Sequence, residues 1–271
     1  TITALESIDA TATTGAVTAS ILGAKTTYAG SKGVDTVTVT DADTAIAKAI
    51  DLGAGDDKLI LSEAGAVKVP TVELKGGEGT DTLSIDAASA VTLSGGTAFA
   101  AKLNSFERLE ITGAAAAQTV DVEKLGFANY VTVAGQITSN ALTLSNLANN
   151  ATVVLNAAAV GLTTNIKDAA TGTADVLNLV VTNDNGIAAG TVTAANIETI
   201  NLTVTDVFVD SSTPKDGKDN NDATHTMTLT ADKATALNID GTAGLTLTLT
   251  SSDKLVTIDA SKMTEGGLTV A

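Results

Sequence analysis

Glycine and aspartate recur together in this sequence in a pattern that could build a cation site. Written as G-G-x-G-x-D-x-apolar, the pattern is complete once, in Gly76–Leu83. Leu52–Leu59 lacks only the first glycine, Gly30–Val37 lacks the second, and Gly172–Leu177 is a degenerate fourth copy. Glycine lets a turn aim its carbonyl oxygens inward, and aspartate adds a charged oxygen. Carbonyl and carboxylate oxygens are the ligands that Ca²⁺ takes in proteins.

The spacing of the copies decides between a plain turn and a metal site. One Gly-x-Gly-x-Asp is most simply a turn before a strand. Asp35, Asp57 and Asp81 are 22 and 24 residues apart, however, which fits one coil of a parallel β-solenoid. Equivalent turns would then stack about 4.8 Å apart and bring carbonyls and carboxylates of two coils around one point. The predicted Ca²⁺ ligands are Gly30, Gly33, Asp35, Gly53, Gly55, Asp57, Gly76, Gly77, Gly79 and Asp81, with Asp56 as a further candidate.

A second acidic cluster lies in residues 210–225. Asp216, Asp219 and Asp222 are close in sequence around Gly217. The cluster does not have the spacing of an EF-hand loop. It is either a second Ca²⁺ loop or a solvated insertion between strands, and we favour the insertion.

Alternating apolar and polar residues predict that most of the chain is β-strand. Runs of four to eight such residues are typical of half-buried strands, and glycine, asparagine, aspartate or serine separates most of them. Short helices are predicted only at Asp43–Ile50 and Ala98–Asn104. The predicted strands lie in Asp35–Asp41, Lys58–Ser62, Asp81–Asp86, Arg108–Thr112, Tyr130–Gly135, Ala141–Ser145, Thr199–Thr205, His225–Thr230, Leu245–Ser252 and Leu255–Ala260.

Internal repeats favour a solenoid over a sandwich or barrel. The phrase apolar-Glu-x-apolar-x-apolar-Thr occurs around Glu6, Glu107 and Glu198, and apolar-Asp-Ala recurs at Asp86 and Asp259. We therefore predict an all-β, right-handed parallel β-helix or β-solenoid in two or three stacked modules. The module boundaries are placed at 1–112, 113–205 and 206–271, with the acidic loop 210–225 in the last.

Composition limits the functions that are compatible with the chain. The net charge is −16 and there is no cysteine, so nucleic-acid binding, disulfides and cysteine-based metal sites are not expected. No apolar run is long enough to span a bilayer, so membrane insertion is not expected. The first residues show no signal-peptide pattern, and the chain begins and ends within strand-like patterns, so we expect a segment of a longer protein.

The sequence does not predict an enzyme. His225 is the only histidine, which rules out a two-histidine zinc motif, and we expect it to be a surface structural residue at a strand start. Glu107 and Arg108 are interpreted as repeat positions. Parallel β-helix lyases and epimerases use basic and aromatic residues in a groove, and this chain has only two Tyr and no Trp.

The Gly/Asp pattern resembles the calcium-binding nonapeptide of RTX proteins, although the copies here are not in tandem. The phrases around Glu6, Asn196–Asp206 and Thr257–Val270 resemble repeats of Gram-negative surface-layer (S-layer) proteins. This resemblance implies an extracellular, type I secreted, non-enzymatic lattice subunit stabilised by Ca²⁺. Its partners would be neighbouring copies of itself and cell-surface polysaccharide.

Two alternatives to the lattice subunit stay open. One is an RTX-type adhesin or ice-binding β-solenoid whose threonine ladders, as in Thr36–Thr40 and Leu245–Thr250, are the active face. The drifting coil period argues against it. The other is a carbohydrate-active β-helix enzyme, which we expect less.

Overall fold

The protein is described by a computed structural model that covers residues 4–62, 66–113, 117–138, 141–183, 186–206 and 223–271. The chain forms two compact units, a first that consists of Thr1–Thr112 with Val120–Tyr130 and a second that consists of Gly113–Thr119 with Val131–Ala271. Both units consist of parallel β-strands wound into solenoid coils, and 4% of the chain is helical. The predicted all-β parallel solenoid is therefore confirmed. The hand of the coil and the division into three modules stay predictions.

The secondary-structure elements are short in the first unit and longer in the second. In chain order from the N-terminus they are β1 (Ser7–Asp9), β2 (Thr18–Ile21), β3 (Thr27–Ala29), β4 (Thr36–Val39), β5 (Ile50–Asp51), β6 (Lys58–Leu61), β7 (Leu74–Lys75), β8 (Thr82–Asp86), α1 (Ala87–Leu93), β9 (Leu103–Asn104), β10 (Arg108–Thr112), β11 (Gln118–Asp121) and β12 (Tyr130–Val133). The remaining strands are β13 (Leu142–Leu147), β14 (Ala151–Leu155), β15 (Gly161–Ile166), β16 (Val176–Thr182), β17 (Ala188–Ala194), β18 (Thr199–Thr205), β19 (Thr224–Thr230), β20 (Ala236–Gly241), β21 (Gly244–Thr250), β22 (Thr257–Met263) and β23 (Leu268–Val270).

Each coil of the first unit contributes one strand to each of two sheets. Strands β1, β3, β5, β7 and β9 pair in that order in one sheet, and β2, β4, β6, β8 and β10 pair in the other. All of these pairings are parallel and in register; Thr36 lies opposite Lys58, and Lys58 lies opposite Thr82. Successive coils are 18, 22, 24 and 26 residues long, and the added residues lie between the strands.

The second unit repeats this plan with longer strands. Strands β14, β16, β18, β20 and β22 pair in parallel in one sheet, and β13, β15, β17, β19, β21 and β23 pair in the other. Asn178, Asn201 and Asn238 occupy the same register position although they are 23 and 37 residues apart. The coil period therefore drifts in sequence while the strands stay aligned.

Alternation along each strand fills the interior with aliphatic side chains. In β4, for example, Val37 and Val39 are fully buried while Thr36 and Thr38 are half-buried. The core consists mainly of Val, Leu, Ile and Ala, which stack in narrow layers between the two sheets of each coil. In the part of the chain that the structure describes, no helix has the length and apolar character needed to cross a membrane.

The helices differ from the sequence prediction. No helix forms at Asp43–Ile50, and Ala98–Asn104 contains only a 3₁₀ turn, Ala100–Lys102. Among the described residues the one α-helix is α1, which the sequence did not predict. The Asp86 carboxylate caps it by accepting hydrogen bonds from the backbone N–H groups of Ala88 and Ser89. An N-terminal aspartate followed by alanines favours a helical turn, and this local preference outweighs the strand-like alternation before it.

The recurring apolar-Asp-Ala phrase, which also occurs at Ile8–Ala10, has the same structural role in all three places. Asp9, Asp86 and Asp259 each end a strand or lie within one, and each accepts a backbone N–H two residues further on. Hydrogen bonds from the Thr11 and Ser261 side chains, and then from their backbone N–H groups, lower the pKa of Asp9 and Asp259 from the ordinary value. The phrase marks an Asx turn and is not part of a site.

Candidate functional site

The three Gly/Asp turns of the first unit stack directly on one another. They precede β4, β6 and β8, which are paired in register, so equivalent turn positions meet on adjacent coils. Ala54 and Glu78 form a parallel bridge between the second and third turns, and Gly55 N–H donates to the carbonyl oxygen of Glu78 at 2.8 Å. The predicted stacking of the Gly/Asp motif is thus present in the structure.

Two glycines of the full motif are required by close approach of the backbone. Gly77 and Gly79 have φ values of 123° and 131°, a region that residues with a side chain rarely adopt. A Cβ at Gly77 would overlap the carbonyl oxygen of Gly53, and one at Gly79 would overlap that of Gly55. The glycine positions therefore let carbonyl oxygens of one coil lie against the backbone of the next.

The aspartates of these turns form a carboxylate column, which consists of the buried Asp35, Asp57 and Asp81 and ends at the exposed Glu107. Asp35 N–H donates to Asp57 Oδ1 at 2.6 Å, and Asp57 N–H donates to Asp81 Oδ1 at 2.9 Å. Asp81 N–H donates in turn to Glu107 Oε2 at 2.8 Å, and Val17 N–H donates to Asp35 Oδ1 at 3.0 Å. The three aspartates are at most 1% exposed. Each carboxylate therefore binds the backbone of the preceding coil.

The second carboxylate oxygens in the column are not equivalent. Asp35 Oδ2 accepts hydrogen bonds from the Tyr28 hydroxyl at 2.9 Å and from Ser31 N–H at 2.8 Å. The Ser31 hydroxyl also donates to Asp35 Oδ1. Asp57 Oδ2 and Asp81 Oδ2 are buried and have no hydrogen-bond partner among the described residues. A buried carboxylate oxygen without a partner is costly, so these two oxygens call for a proton or a cation.

The electrostatics of the column agree with its geometry. Burial, together with the charges of Asp81, Asp35 and Asp56, raises the pKa of Asp57 to about 6, against the lowering effect of the Asp35 N–H. Burial also raises the pKa of Asp81, with added repulsion from Glu107 and Asp56. The column therefore resists full ionisation as long as only protein atoms surround it.

The carboxylates are arranged along the stack and are not gathered around one point. Among the described residues, no group of three or more His, Cys, Asp or Glu side chains could hold a metal ion. A cation at Asp57 or Asp81 would therefore need backbone carbonyls for most of its ligands, which the glycine turns bring close. That mixture of carboxylate and carbonyl oxygens fits Ca²⁺ better than a transition metal.

The remaining predicted ligands occupy different surroundings. Gly30, Gly33, Gly53, Gly55 and Gly76 all lie in the stacked turns, where an added Cβ would meet backbone atoms of a neighbouring coil or, at Gly76, also the Asp81 carboxylate. Asp56 is exposed, and its Oδ1 accepts a hydrogen bond from Thr80 N–H at 2.9 Å. Asp216, Asp219 and Asp222 lie outside the described residues.

Sequence reasoning missed the glutamates that belong to this architecture. Asp81 with Glu107, and Asp175 with Glu198, have the same arrangement in the first and second units. In each pair the aspartate N–H donates to Glu Oε2, at 2.8 and 2.9 Å, and the glutamate N–H donates back to the aspartate carbonyl oxygen at 3.1 Å. Asp175 Oδ2 is also buried without a partner among the described residues. Their position in the sequence could have indicated this role, because all four residues immediately precede a strand.

The second unit carries an amide column, which consists of Asn178, Asn201 and Asn238. Asn201 Nδ2 donates to Asn178 Oδ1 and Asn238 Nδ2 donates to Asn201 Oδ1, both at 2.8 Å. Asn178 Nδ2 continues the series to the carbonyl oxygen of Asn150 at 2.9 Å. The register position of the next strand is occupied by Asp259. The amides thus connect the coils without any net charge.

His225 is a buried structural residue, and the expected surface position was wrong. It is fully buried, Ile187 N–H donates to its Nδ1 at 3.1 Å, and its Nε2 lies 3.1 Å from the carbonyl oxygen of Thr205. Burial lowers the pKa of His225, which favours the neutral ring that this pair of partners requires. Both ring nitrogens are engaged in holding strands together. The cause is the inward register of its position in β19.

Comparison with known protein families finds no family that matches the chain, and comparison with curated proteins finds no match either.

Proposed function

We propose that this chain is a non-enzymatic structural module of a secreted bacterial surface protein, an S-layer lattice subunit whose fold is stabilised by Ca²⁺. One observation carries the proposal. The in-register glycine turns of the first unit hold the carboxylate column, in which the buried Asp57 Oδ2 and Asp81 Oδ2 have no protein partner among the described residues. A cation-dependent solenoid is the simplest account of that arrangement, and the resemblance to S-layer and RTX repeats supports it.

The role of the cation in this proposal follows from charge. Asp57 and Asp81 are adjacent acceptors in a column that carries no basic side chain of its own. At neutral pH their ionisation would place repelling charges in the interior, whereas Ca²⁺ would neutralise them and cross-link two coils. The expected result is a solenoid that is rigid outside the cell, where Ca²⁺ is abundant, without any disulfide.

Contacts between copies would depend on the same ion. The chain carries a net charge of −16, so copies repel one another unless cations screen or bridge them. Asp56 and Glu78 are exposed in the stacked turns, and we expect them to share ions with a neighbouring copy. Ca²⁺-dependent assembly of copies is therefore expected together with Ca²⁺-dependent folding.

The test is assembly of the purified chain in Ca²⁺ and in chelator. Light scattering and negative-stain electron microscopy should show ordered assemblies in millimolar Ca²⁺ and monomers in chelator, and equal ionic strength of Mg²⁺ is the control for screening. If the chain stays monomeric under every condition, the proposal that it is a lattice subunit is wrong. Ca²⁺-dependent melting without assembly would leave the metal site intact while rejecting the S-layer assignment.

A second candidate function, binding of ordered water at an ice surface, is favoured by the threonine face of the second unit. This face consists of the outward threonines of β13, β15, β17, β19, β21 and β23. None of these six strands contains a charged residue, in a chain that is 17% charged. The threonines are aligned in three columns, Thr143–Thr163–Thr193–Thr230–Thr250, Thr191–Thr228–Thr248 and Thr226–Thr246–Thr269.

Because the threonine columns stay aligned, the drifting length of the coils in the sequence does not argue against an ice-binding face. Extra residues of each coil lie between the strands, so hydroxyl and methyl groups still repeat about 4.8 Å across strands and about 6.6 Å along them. Thermal hysteresis is the test. Wild-type chain should show it, Thr228→Lys should abolish it, and Thr257→Lys, at an exposed threonine of β22 outside this face, should leave it unchanged. No hysteresis in the wild type rejects this candidate.

A further inference from the structure

A cavity in the first unit gathers the rarest side chains of this sequence. The chain has one arginine and six aromatic residues. The arginine, Arg108, and three of the aromatic residues, Phe106, Phe127 and Tyr130, line one cavity of about 450 Å³, together with Glu107, Gly126 and Asn129. This volume is within the usual range of small-ligand pockets. The core of these coils is built mainly from Val, Leu, Ile and Ala. Core packing therefore does not explain why the arginine and three aromatic residues lie together.

The cavity is built by two rigid segments. Arg108 is the first residue of β10, and Tyr130 is the first residue of β12. The turn before Tyr130 is held by hydrogen bonds from Gly126 N–H to the Glu123 carbonyl oxygen at 2.9 Å and from Phe127 N–H to that of Val122 at 2.8 Å. The backbone that carries Phe127 and Tyr130 is therefore held in place before any ligand arrives, which lowers the entropic cost of binding.

Arg108 is an exposed cation that takes part in none of the ion pairs of the described residues. Its guanidinium lies over the Tyr130 ring, 4.5 Å from the ring centroid, in a cation–π arrangement. The nearby carboxylates are engaged elsewhere, because Glu107 Oε2 accepts the Asp81 N–H and Glu110 forms an ion pair with Lys58 at 2.6 Å. Within the described part of the chain, no carboxylate forms an ion pair with Arg108. In a chain with 31 acidic residues, an unpaired arginine in a cavity points to an anionic ligand from outside.

The rest of the lining indicates what kind of anion fits. Phe127 is 2% exposed and forms a buried apolar surface, while Phe106 and Tyr130 are half-buried beside it. Aromatic surface accepts the C–H faces of a sugar ring, and the exposed Asn129 amide can bind hydroxyl groups. A planar guanidinium binds a carboxylate through two parallel hydrogen bonds. We propose that this cavity binds a carboxylate-bearing sugar, a uronic acid unit of an acidic polysaccharide.

The proposal does not depend on Ca²⁺ or on the lattice role. Glu107 lines the cavity and brings a negative charge to it, so it should weaken the binding of the carboxylate by repulsion. Glu107→Gln keeps the acceptor for the Asp81 N–H and removes that charge. It is therefore expected to raise the affinity for an acidic sugar a few-fold, which a merely structural role of the cavity would not produce.

The experiment is a titration of the full chain with sodium glucuronate, followed by NMR chemical shifts or calorimetry. Glucose is the control that has the sugar ring but no charge, and sulfate is the control that has a negative charge but no sugar ring. Wild-type chain should bind glucuronate at least tenfold more tightly than either. Arg108→Gln should lose at least tenfold, and Arg108→Lys should lose less because the charge remains without the planar fork. Lys124→Gln removes a charge from the same turn outside the cavity and should leave binding unchanged.

Three results overturn the proposal. They are the absence of saturable glucuronate binding, equal binding of sulfate and glucuronate, and equal glucuronate binding by Arg108→Gln and wild type. Melting curves of each variant confirm folding before titration. If Arg108→Gln does not fold, Arg108→Lys and Glu107→Gln carry the test with opposite expected signs, and an unchanged affinity in both rejects the site.

Discussion

The carboxylate column of the first unit and the amide column of the second unit connect stacked coils in different chemical ways. Asn201 both donates to Asn178 and accepts from Asn238, so each amide satisfies the next and the column stays neutral. Asp57 can only accept while it is ionised, so it takes its hydrogen bond from the Asp35 backbone N–H. Its other oxygen has no partner among the described residues.

The difference shows what each column demands of its surroundings. An amide column can be extended by one coil at a time without any change in charge, because asparagine carries donors and an acceptor. A carboxylate column gains a buried negative charge with each coil and needs a proton or a cation to compensate. We therefore expect the proposed calcium dependence to lie mainly in the first unit, where such carboxylates are stacked, although Asp175 of the second unit also has a buried oxygen without a partner among the described residues.

The largest expected effect comes from Gly77. Gly77→Ala would push a Cβ into the carbonyl oxygen of Gly53 and would strain a φ of 123°. We expect a loss of at least about 3 kcal/mol in the free energy of unfolding, or failure to fold. Gly96→Ala is the matched control, because an added Cβ there meets no atom within 4 Å. Urea denaturation of both variants is the measurement, and a loss below about 1 kcal/mol for Gly77→Ala would show that the turns are not closely stacked.

Asn201→Asp converts the middle of the amide column into a carboxylate. The variant loses the donor to Asn178 Oδ1 and places a negative charge against that oxygen. We expect a destabilisation of about 1–3 kcal/mol at neutral pH, measured by urea denaturation. Near pH 3 the protonated aspartate can donate again, so the loss should shrink. A loss that is independent of pH would mean that the amide column is not a hydrogen-bonded series.

A smaller effect is expected in the pH dependence of Asp57→Asn without Ca²⁺. Burial raises the pKa of Asp57 from 3.8 to about 6, so the folded state holds the proton more tightly than the unfolded state. The wild type should therefore lose stability relative to the variant as pH rises from about 4 to about 6, and the difference should be constant outside this window. Melting temperatures in chelator at pH 4, 5, 6 and 7 measure it. A difference that stays flat from pH 4 to 7 would contradict the buried, unpaired oxygen.

The fold class could be predicted from the sequence because strand alternation and turn chemistry are local properties. The strand at Thr199–Thr205, for instance, was predicted at its observed limits. The helix α1 was missed because its capping by Asp86 competes locally with an alternating pattern. Thirteen of the 23 strands in the described residues were not predicted either, among them β14 to β17 and β20, although β16 alternates clearly in burial.

The sequence predicted that the Gly/Asp turns stack, but it did not predict the hydrogen-bond partners of their carboxylates. The stacking of Asp35, Asp57 and Asp81 followed from their spacing. The role of Glu107 did not, because it requires knowing that glutamate and aspartate can occupy the same place before a strand. The Asn178–Asn201–Asn238 column was also missed, since intervals of 23 and 37 residues show no period until the strands are paired.

Calcium-dependent melting of three proteins tests the central claim most directly. They are the wild type, the double variant Asp57→Asn/Asp81→Asn, and Asn201→Leu in the amide column. At Ca²⁺ a hundredfold above the dissociation constant, the wild type should gain about 2.7 kcal/mol in the free energy of unfolding, seen as a rise in Tm. Asn201→Leu should start from a lower Tm and gain as much, and the double variant should gain nothing. A wild type that does not respond to millimolar Ca²⁺, or a double variant that responds as the wild type does, would contradict the account.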